Sequence, residues 1–219
     1  MGPMTRMNSA AAMAGAAAGI AGPVVFTAAW IVGSLRQTGY PAAEIQISGL
    51  AAPDARDPWI MVAGFVVLGG CTVAFGAALR DALGGQDPLD WWTPRLIQGA
   101  GVLTIALGLL RRDHMLLHPG NVSWHNHAHD VISAVIYVDL VVVQVLLAGR
   151  FGRDPQWTLW RPWLLASGAA TGAALIAFSS DTSANWAGVL QRVAVTIPLV
   201  AIAAIATRLL RTPTRTGER

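Results

Sequence analysis

Six apolar runs, each about as long as a helix that crosses a bilayer, dominate the sequence. A helix needs about 20 residues to span the hydrocarbon core, and a backbone in lipid must satisfy its own hydrogen bonds. Hydrophobic residues make up 54% of the chain and charged residues only 12%, whereas a soluble domain carries about 25% charged residues. The sequence therefore predicts a single all-α integral membrane domain, a polytopic bundle of six transmembrane helices.

Short polar loops separate the predicted helices. We expect the helices at about residues 10–35, 58–79, 94–110, 124–147, 163–178 and 186–210, followed by a flexible tail at 211–219. A cleaved signal peptide is the competing interpretation of the first run. That run continues past Trp30, beyond the usual apolar core of about 7–15 residues, so we expect it to remain as the first helix.

All fifteen basic residues are arginines, and they divide unequally between the two sides of the predicted bundle. The side of the termini holds ten, and the opposite side holds Arg36, Arg56, Arg111, Arg112 and Arg192. The positive-inside rule then predicts a plasma-membrane protein with both termini in the cytoplasm. Because the arginines are scattered and form no basic patch, we expect no nucleic-acid partner.

Residues 111–139 hold all five histidines and are the stretch where titratable side chains crowd together. His125 and His129 are four apart, so a helix that begins by Trp124 places both imidazoles on one face, at a spacing suited to two metal ligands. A short loop brings Asp113 close to them. We predict an outward-facing polar pocket with Asp113, His125 and His129 as catalytic candidates. His125 and His129 are also candidate ligands of a divalent metal, and plain solvation of both histidines at the membrane interface is the alternative.

Asp139 interrupts the apolar part of the fourth helix, where a charge should face the bundle interior. The sequence predicts Arg192 or Gln191 of the sixth helix as its partner, giving a buried pair. Asp139 is a further catalytic candidate, since a carboxylic acid in apolar surroundings can serve as a proton donor. The candidate substrate-binding residues are Glu44, Ser48, Trp124, Gln191 and Arg192.

Six motifs in a fixed order resemble the bacterial "domain of unknown function 998" family. They are G-P-V-V-F-T-A-A-W, Y-P-x(5)-I-S-G-L, W-I-M-V-A-G-F-V-V-L-G, H-x-x-x-H-D, R-F-x-R-D-P-x-W and G-V-L-Q-R, and the resemblance covers about residues 22–211. It implies six transmembrane helices and a distant similarity to the FRAG1/DRAM/Sfk1 group, whose eukaryotic members are associated with lipid remodelling and lipid asymmetry. It implies no established reaction.

Three classes of function are compatible with these features. The first is a non-catalytic protein whose pocket binds a lipid or isoprenoid. The second is a membrane-embedded enzyme, either a metal-dependent lipid hydrolase using His125 and His129 or an acid catalyst of isoprenoid (terpene) cyclisation using Asp139, Asp113 or Glu44. The third is a structural subunit without a pocket. A lipid or isoprenoid ligand is the leading expectation.

Overall fold

The computed structural model describes residues 9–85, 87–116, 122–180 and 185–211, and these residues form helices and no strands. The helices are α1 (Ala10–Arg36), α2 (Trp59–Leu83), α3 (Pro88–Leu109), α4 (Trp124–Phe151), α5 (Trp160–Ser180) and α6 (Ala187–Arg211). A short 3-10 helix at Ile47–Ala51, here called the loop helix, lies between α1 and α2. The predicted all-α bundle is confirmed.

Five helices, α1, α2, α4, α5 and α6, are long and apolar enough to cross a membrane. The remaining helix, α3, has 22 residues and carries Asp90 and Arg95 in its first turns, which lower its mean hydropathy. It packs along the length of α2. The chain is thus a multi-pass membrane protein.

Helices α2 and α3 are longer than the sequence predicted. Helix α2 continues to Leu83, and α3 begins at Pro88 because Asp87 caps it. The Asp87 carboxylate accepts the backbone N–H of Leu89, and the Asp90 carboxylate accepts that of Asp87. The predicted connection between the second and third helices, residues 80–93, is therefore mostly helical, and Gly84 and Gly85, which follow the end of α2, have positive φ angles of 80° and 72°. Except for Arg211, the predicted tail lies outside the described residues.

The six helices form a ring in chain order. Each packs against its sequence neighbours, and α6 closes the ring by packing against α1, while α4 and α6 touch each other very little. We call the end with connections 37–58 and 110–123 the histidine side, and the opposite end the terminal side. The ring encloses space between α4 and α6, which is where the candidate site lies.

A buried ion pair joins α3 to α4 on the terminal side. The Arg150 Nε donates to the Asp90 Oδ1 at 2.5 Å, and the two side chains are 2% and 0% exposed. A second pair, Arg153 with Asp87 at 2.6 Å, lies beside it. These contacts fix the ends of α3 and α4 that lie opposite the histidines.

Candidate functional site

A narrow cavity of about 80 Å³ lies inside the helix ring. Its wall comes from α1, α2, α3, α4, α6 and the loop helix. Most of the wall is hydrocarbon, from residues that include Phe26, Phe65, Leu68, Leu107, Ile136 and Leu199. The Thr72 and Thr104 hydroxyls donate to carbonyls of their own helices, those of Leu68 and Ala100. The wall therefore offers an apolar surface over most of its area.

The polar end of the cavity, formed by Ser48, Ser133, Tyr137 and Gln191, lies toward the histidine side. The Gln191 Oε1 accepts the backbone N–H of Ile47 at 2.5 Å, and its Nε2 donates to the Tyr137 hydroxyl at 2.7 Å. One amide thus joins α6, the loop helix and α4. Like an amphiphilic molecule, the cavity therefore has a long apolar part and a short polar part.

A second, deeper cavity of about 30 Å³ has Asp139 in its wall. It shares four wall residues with the central cavity, namely Thr72, Ala100, Leu140 and Ile202. Asp139 has no hydrogen bond or ion pair within the described residues. The predicted inward-facing position of Asp139 is therefore observed, and its carboxyl group borders apolar space.

The predicted pairing of Asp139 with Arg192 or Gln191 is wrong. The Arg192 guanidinium donates to the carbonyls of Ala42, Ile45 and Gly188 and to the Tyr40 hydroxyl. Arg192 lies near the start of α6, whereas Asp139 lies near the middle of α4. The Gln191 amide is bonded to Ile47 and Tyr137, so neither predicted partner is bonded to Asp139. Arg192 instead holds the connection between α1 and α2 against α6.

His125 and His129 have different surroundings. His129 is 1% exposed, and its Nδ1 lies 2.7 Å from the Leu110 carbonyl oxygen. His125 is exposed, stacks on Trp124 at 3.9 Å between ring centroids, and has its Nδ1 3.4 Å from the Ser123 hydroxyl. Within the described ranges, no group of three or more His, Cys, Asp or Glu side chains is placed to hold a metal ion. The divalent metal on His125 and His129 stays a prediction.

Asp113 fastens the start of α4. Its carboxylate accepts the Ser123 backbone N–H and the Ser123 hydroxyl, both at 2.6 Å, and its own N–H donates to the Asn126 side chain at 3.2 Å. The two Ser123 hydrogen bonds hold the pKa of Asp113 below its usual value of 3.8. Asp113 thus lies beside the first turn of α4, and its catalytic role stays a prediction.

The five candidate substrate-binding residues differ in whether they line the central cavity. Ser48 and Gln191 line the cavity, whereas Glu44 and Trp124 are exposed outside it and Arg192 binds backbone carbonyls. Sequence reasoning missed Ser133 and Tyr137, which follow His129 at intervals of four residues. That spacing places the three on one face of α4, and a search for polar residues in that register would have found them.

A groove of about 660 Å³ runs outside the ring between α4 and α5. Its walls include Val138 and Val141 of α4 and Leu175 and Ile176 of α5. Tyr137 lines both this groove and the central cavity. Its ring also packs edge-on against Phe178 of α5, at 6.1 Å between centroids. Tyr137 is therefore a wall residue of both the outer groove and the central cavity.

The chain was compared with known families, proteins and structures. No curated protein sequence and no solved structure matches it. A family model described as "Protein of unknown function (DUF998)" matches residues 20–208, which covers all six helices except their outermost turns at the two ends of the chain. The motif-based resemblance is thereby confirmed, and the chain belongs to the DUF998 family.

Proposed function

We propose that this membrane protein binds one lipid or isoprenoid molecule, with the apolar tail in the central cavity and the head at its polar end. The supporting observation is the cavity itself: its wall is mostly apolar, and its polar residues are four at the polar end and two threonines whose hydroxyls are bonded to their own helices. An apolar cavity that stays empty forfeits the dispersion contacts of its wall, because water gains little by entering it. A hydrocarbon chain would restore those contacts.

The groove between α4 and α5 is the proposed entry route. It is apolar, faces the lipid and adjoins the cavity at Tyr137. A rotation of the Tyr137 side chain would break its hydrogen bond with Gln191 and its contact with Phe178, and would join the groove to the cavity. The ligand would then enter sideways from the membrane.

We place the histidine side outside the cell and both termini in the cytoplasm, on the ten-to-five division of arginines. A reporter after Gly120 should react with an impermeant reagent in intact cells, and a reporter after Gly152 should react only after permeabilisation. The reverse pattern would overturn this orientation. Plasma-membrane localisation would be checked on the same cells by membrane fractionation.

Acid catalysis is the second candidate function, and the unpaired Asp139 beside apolar space favours it. Its carboxylic acid would give a proton to an alkene carbon of a bound isoprenoid. Ring closure would follow, and the resulting carbocation would lose a proton to the Asp139 carboxylate, which restores the carboxylic acid. Asp139→Asn should then abolish product formation while ligand binding persists. Unchanged turnover in that variant would remove this candidate.

The binding proposal is tested by photo-crosslinking with an isoprenoid that carries a diazirine at the end of its tail. We expect adducts on wall residues of the cavity, such as Phe65, Leu68 and Leu199. Two lipid-facing residues, Val24 and Val102, which are 61% and 59% exposed, serve as the internal comparison. Adducts confined to such outer positions would show that the tail remains in the surrounding lipid, and the proposal would fail.

A further inference from the structure

Arg112 is a buried cation without an ion-pair partner. Its residue surface is 5% exposed, and no carboxylate of the described residues lies within salt-bridge distance. Its Nη1 donates to the Gln46 side-chain oxygen at 2.7 Å, and its buried Nε has no hydrogen-bond partner there. Buried charges in proteins are normally paired, because removing a charge from water is costly. This cation therefore has capacity left for an anion.

Arg112 lies on the histidine side of the polar end. Its partner Gln46 immediately precedes Ile47 and Ser48, which line the cavity, and Ile47 is bonded to Gln191. On α4, His129 lies one turn before Ser133 on the same face. The His129 Nδ1 is bonded to Leu110, two residues before Arg112, and its buried Nε2 has no partner within the described residues. Arg112 and His129 are thus two buried polar side chains with unused hydrogen-bonding capacity, and both contact or belong to elements that form the polar end of the cavity.

The other charged groups nearby already have partners. The Asp113 carboxylate accepts both Ser123 hydrogen bonds. The exposed Asp130 accepts from the Asn126 amide at 2.9 Å. Arg192 is bonded to backbone carbonyls and to Tyr40. Among the described residues on the histidine side, Arg112 is therefore the buried cation, and its Nε retains hydrogen-bonding capacity.

We propose that the ligand head is an anionic phosphate monoester, with Arg112 as its charge partner and the His129 Nε2 as its second contact. This inference rests on the proposed function and specifies the class of ligand. Because a carbonyl only accepts, the His129 Nδ1 donates to Leu110, and the Nε2 of the neutral ring must accept. A singly protonated phosphate monoester offers an anionic oxygen to Arg112 and a hydroxyl to His129. A carboxylate offers no such hydroxyl.

The test is equilibrium binding to the purified full-length chain in detergent, using farnesyl monophosphate, farnesol and inorganic phosphate as probes. We expect farnesyl monophosphate to bind about 10-fold more tightly than farnesol, a difference of about 1.4 kcal/mol. Arg112→Gln should remove this preference, and Arg112→Lys should retain part of it. Arg111→Gln is the matched control, because Arg111 is the neighbouring and more exposed arginine, and its preference should stay intact.

The outcomes separate this inference from the proposed function. Equal binding of farnesyl monophosphate and farnesol to the wild-type chain would overturn the phosphate inference and leave the cavity proposal standing, and this comparison requires no variant to fold. Binding of inorganic phosphate as tight as that of the ester would show a site for free phosphate and would also overturn it. Absence of binding by both farnesyl probes would count against the proposed function itself.

Discussion

At the scale of single residues, the polar groups inside this bundle serve two different purposes. Gln191, Arg192 and the Asp113–Ser123 contact join separate elements through hydrogen bonds on the histidine side. Asp90 and Arg150 do so on the terminal side through a fully buried ion pair. Asp139 and Arg112, by contrast, have no ion pair among the described residues. The two unpaired charges are therefore the residues on which functional hypotheses rest.

The Asp90–Arg150 pair gives a direct stability prediction. Asp90→Asn or Arg150→Gln should each lower the free energy of unfolding by about 3–5 kcal/mol, because either change leaves an uncompensated buried charge. The double variant should lose less than the sum of the two. Unfolding in mixed detergent micelles would measure this. The control is the exposed pair Arg36–Asp57, in which Asp57→Asn or Arg36→Gln should each cost about 1 kcal/mol or less. Similar losses in the two pairs would contradict the view that burial makes the Asp90–Arg150 pair important for stability.

Sequence reasoning identified some residues of the cavity and misplaced their partners. A charged residue in an apolar run is rare, and this is enough to predict that Asp139 faces the interior. Ser48 and Gln191, which the sequence predicts to bind substrate, both line the cavity. The predicted Asp139–Arg192 pair is wrong because a polar residue in an apolar run indicates which side of the helix faces inward. It does not indicate the depth at which that residue lies in the membrane. Arg192, near the start of α6, finds carbonyls of the α1–α2 connection, whose course the hydropathy pattern does not encode.

At the scale of helices, glycine permits the closest contact in the ring. A Cβ added to Gly69 or Gly101 would lie 2.5 or 2.7 Å from the carbonyl oxygen of the other residue, so the backbones of α2 and α3 touch there. Small residues at such contacts are typical of helix packing in membranes. This contact helps to hold α3, the least apolar of the six helices, against α2.

Gly101 and Gly99 form a matched pair for testing this contact. Gly101→Ala should lower the free energy of unfolding by about 1–3 kcal/mol, because the new methyl group forces the two backbones apart. A Cβ at Gly99 meets nothing within 4 Å, so Gly99→Ala should be neutral or slightly stabilising. Both variants would be measured in the same micelles. A loss in Gly99→Ala as large as that in Gly101→Ala would show that helix contact is not the cause.

The sequence predicts that each helix exists, but it does not always predict where the helix begins and ends. Hydropathy marks where lipid begins, and a helix can continue beyond that boundary when its ends are capped. Asp87 and Asp90 cap α3 reciprocally, which moves its start to Pro88 from the predicted 94. The signal was present, because aspartates three residues apart around a proline are typical of a helix start.

At the scale of the whole molecule, the closed ring gives the bundle its interior. Because α4 and α6 touch little across that ring, the interior holds two adjoining cavities beside two packed clusters of apolar side chains. The apolar runs predict six helices, but they do not predict which pairs of helices stay apart. The cavity therefore emerged only with the structure, and it moves the centre of the candidate site from the exposed His125 to the buried residues below it.

Native mass spectrometry of the chain released from lipid nanodiscs tests the cavity proposal most directly. The wild-type chain should retain one lipid or isoprenoid molecule. Ala100→Phe, which places a large ring where both cavities meet, should lose it. Val102→Phe, at an exposed position of the same helix, should keep it, and both variants must elute like the wild type in size-exclusion chromatography. A wild-type chain without a bound lipid or isoprenoid, or equal retention of that molecule by the two variants, would contradict the account.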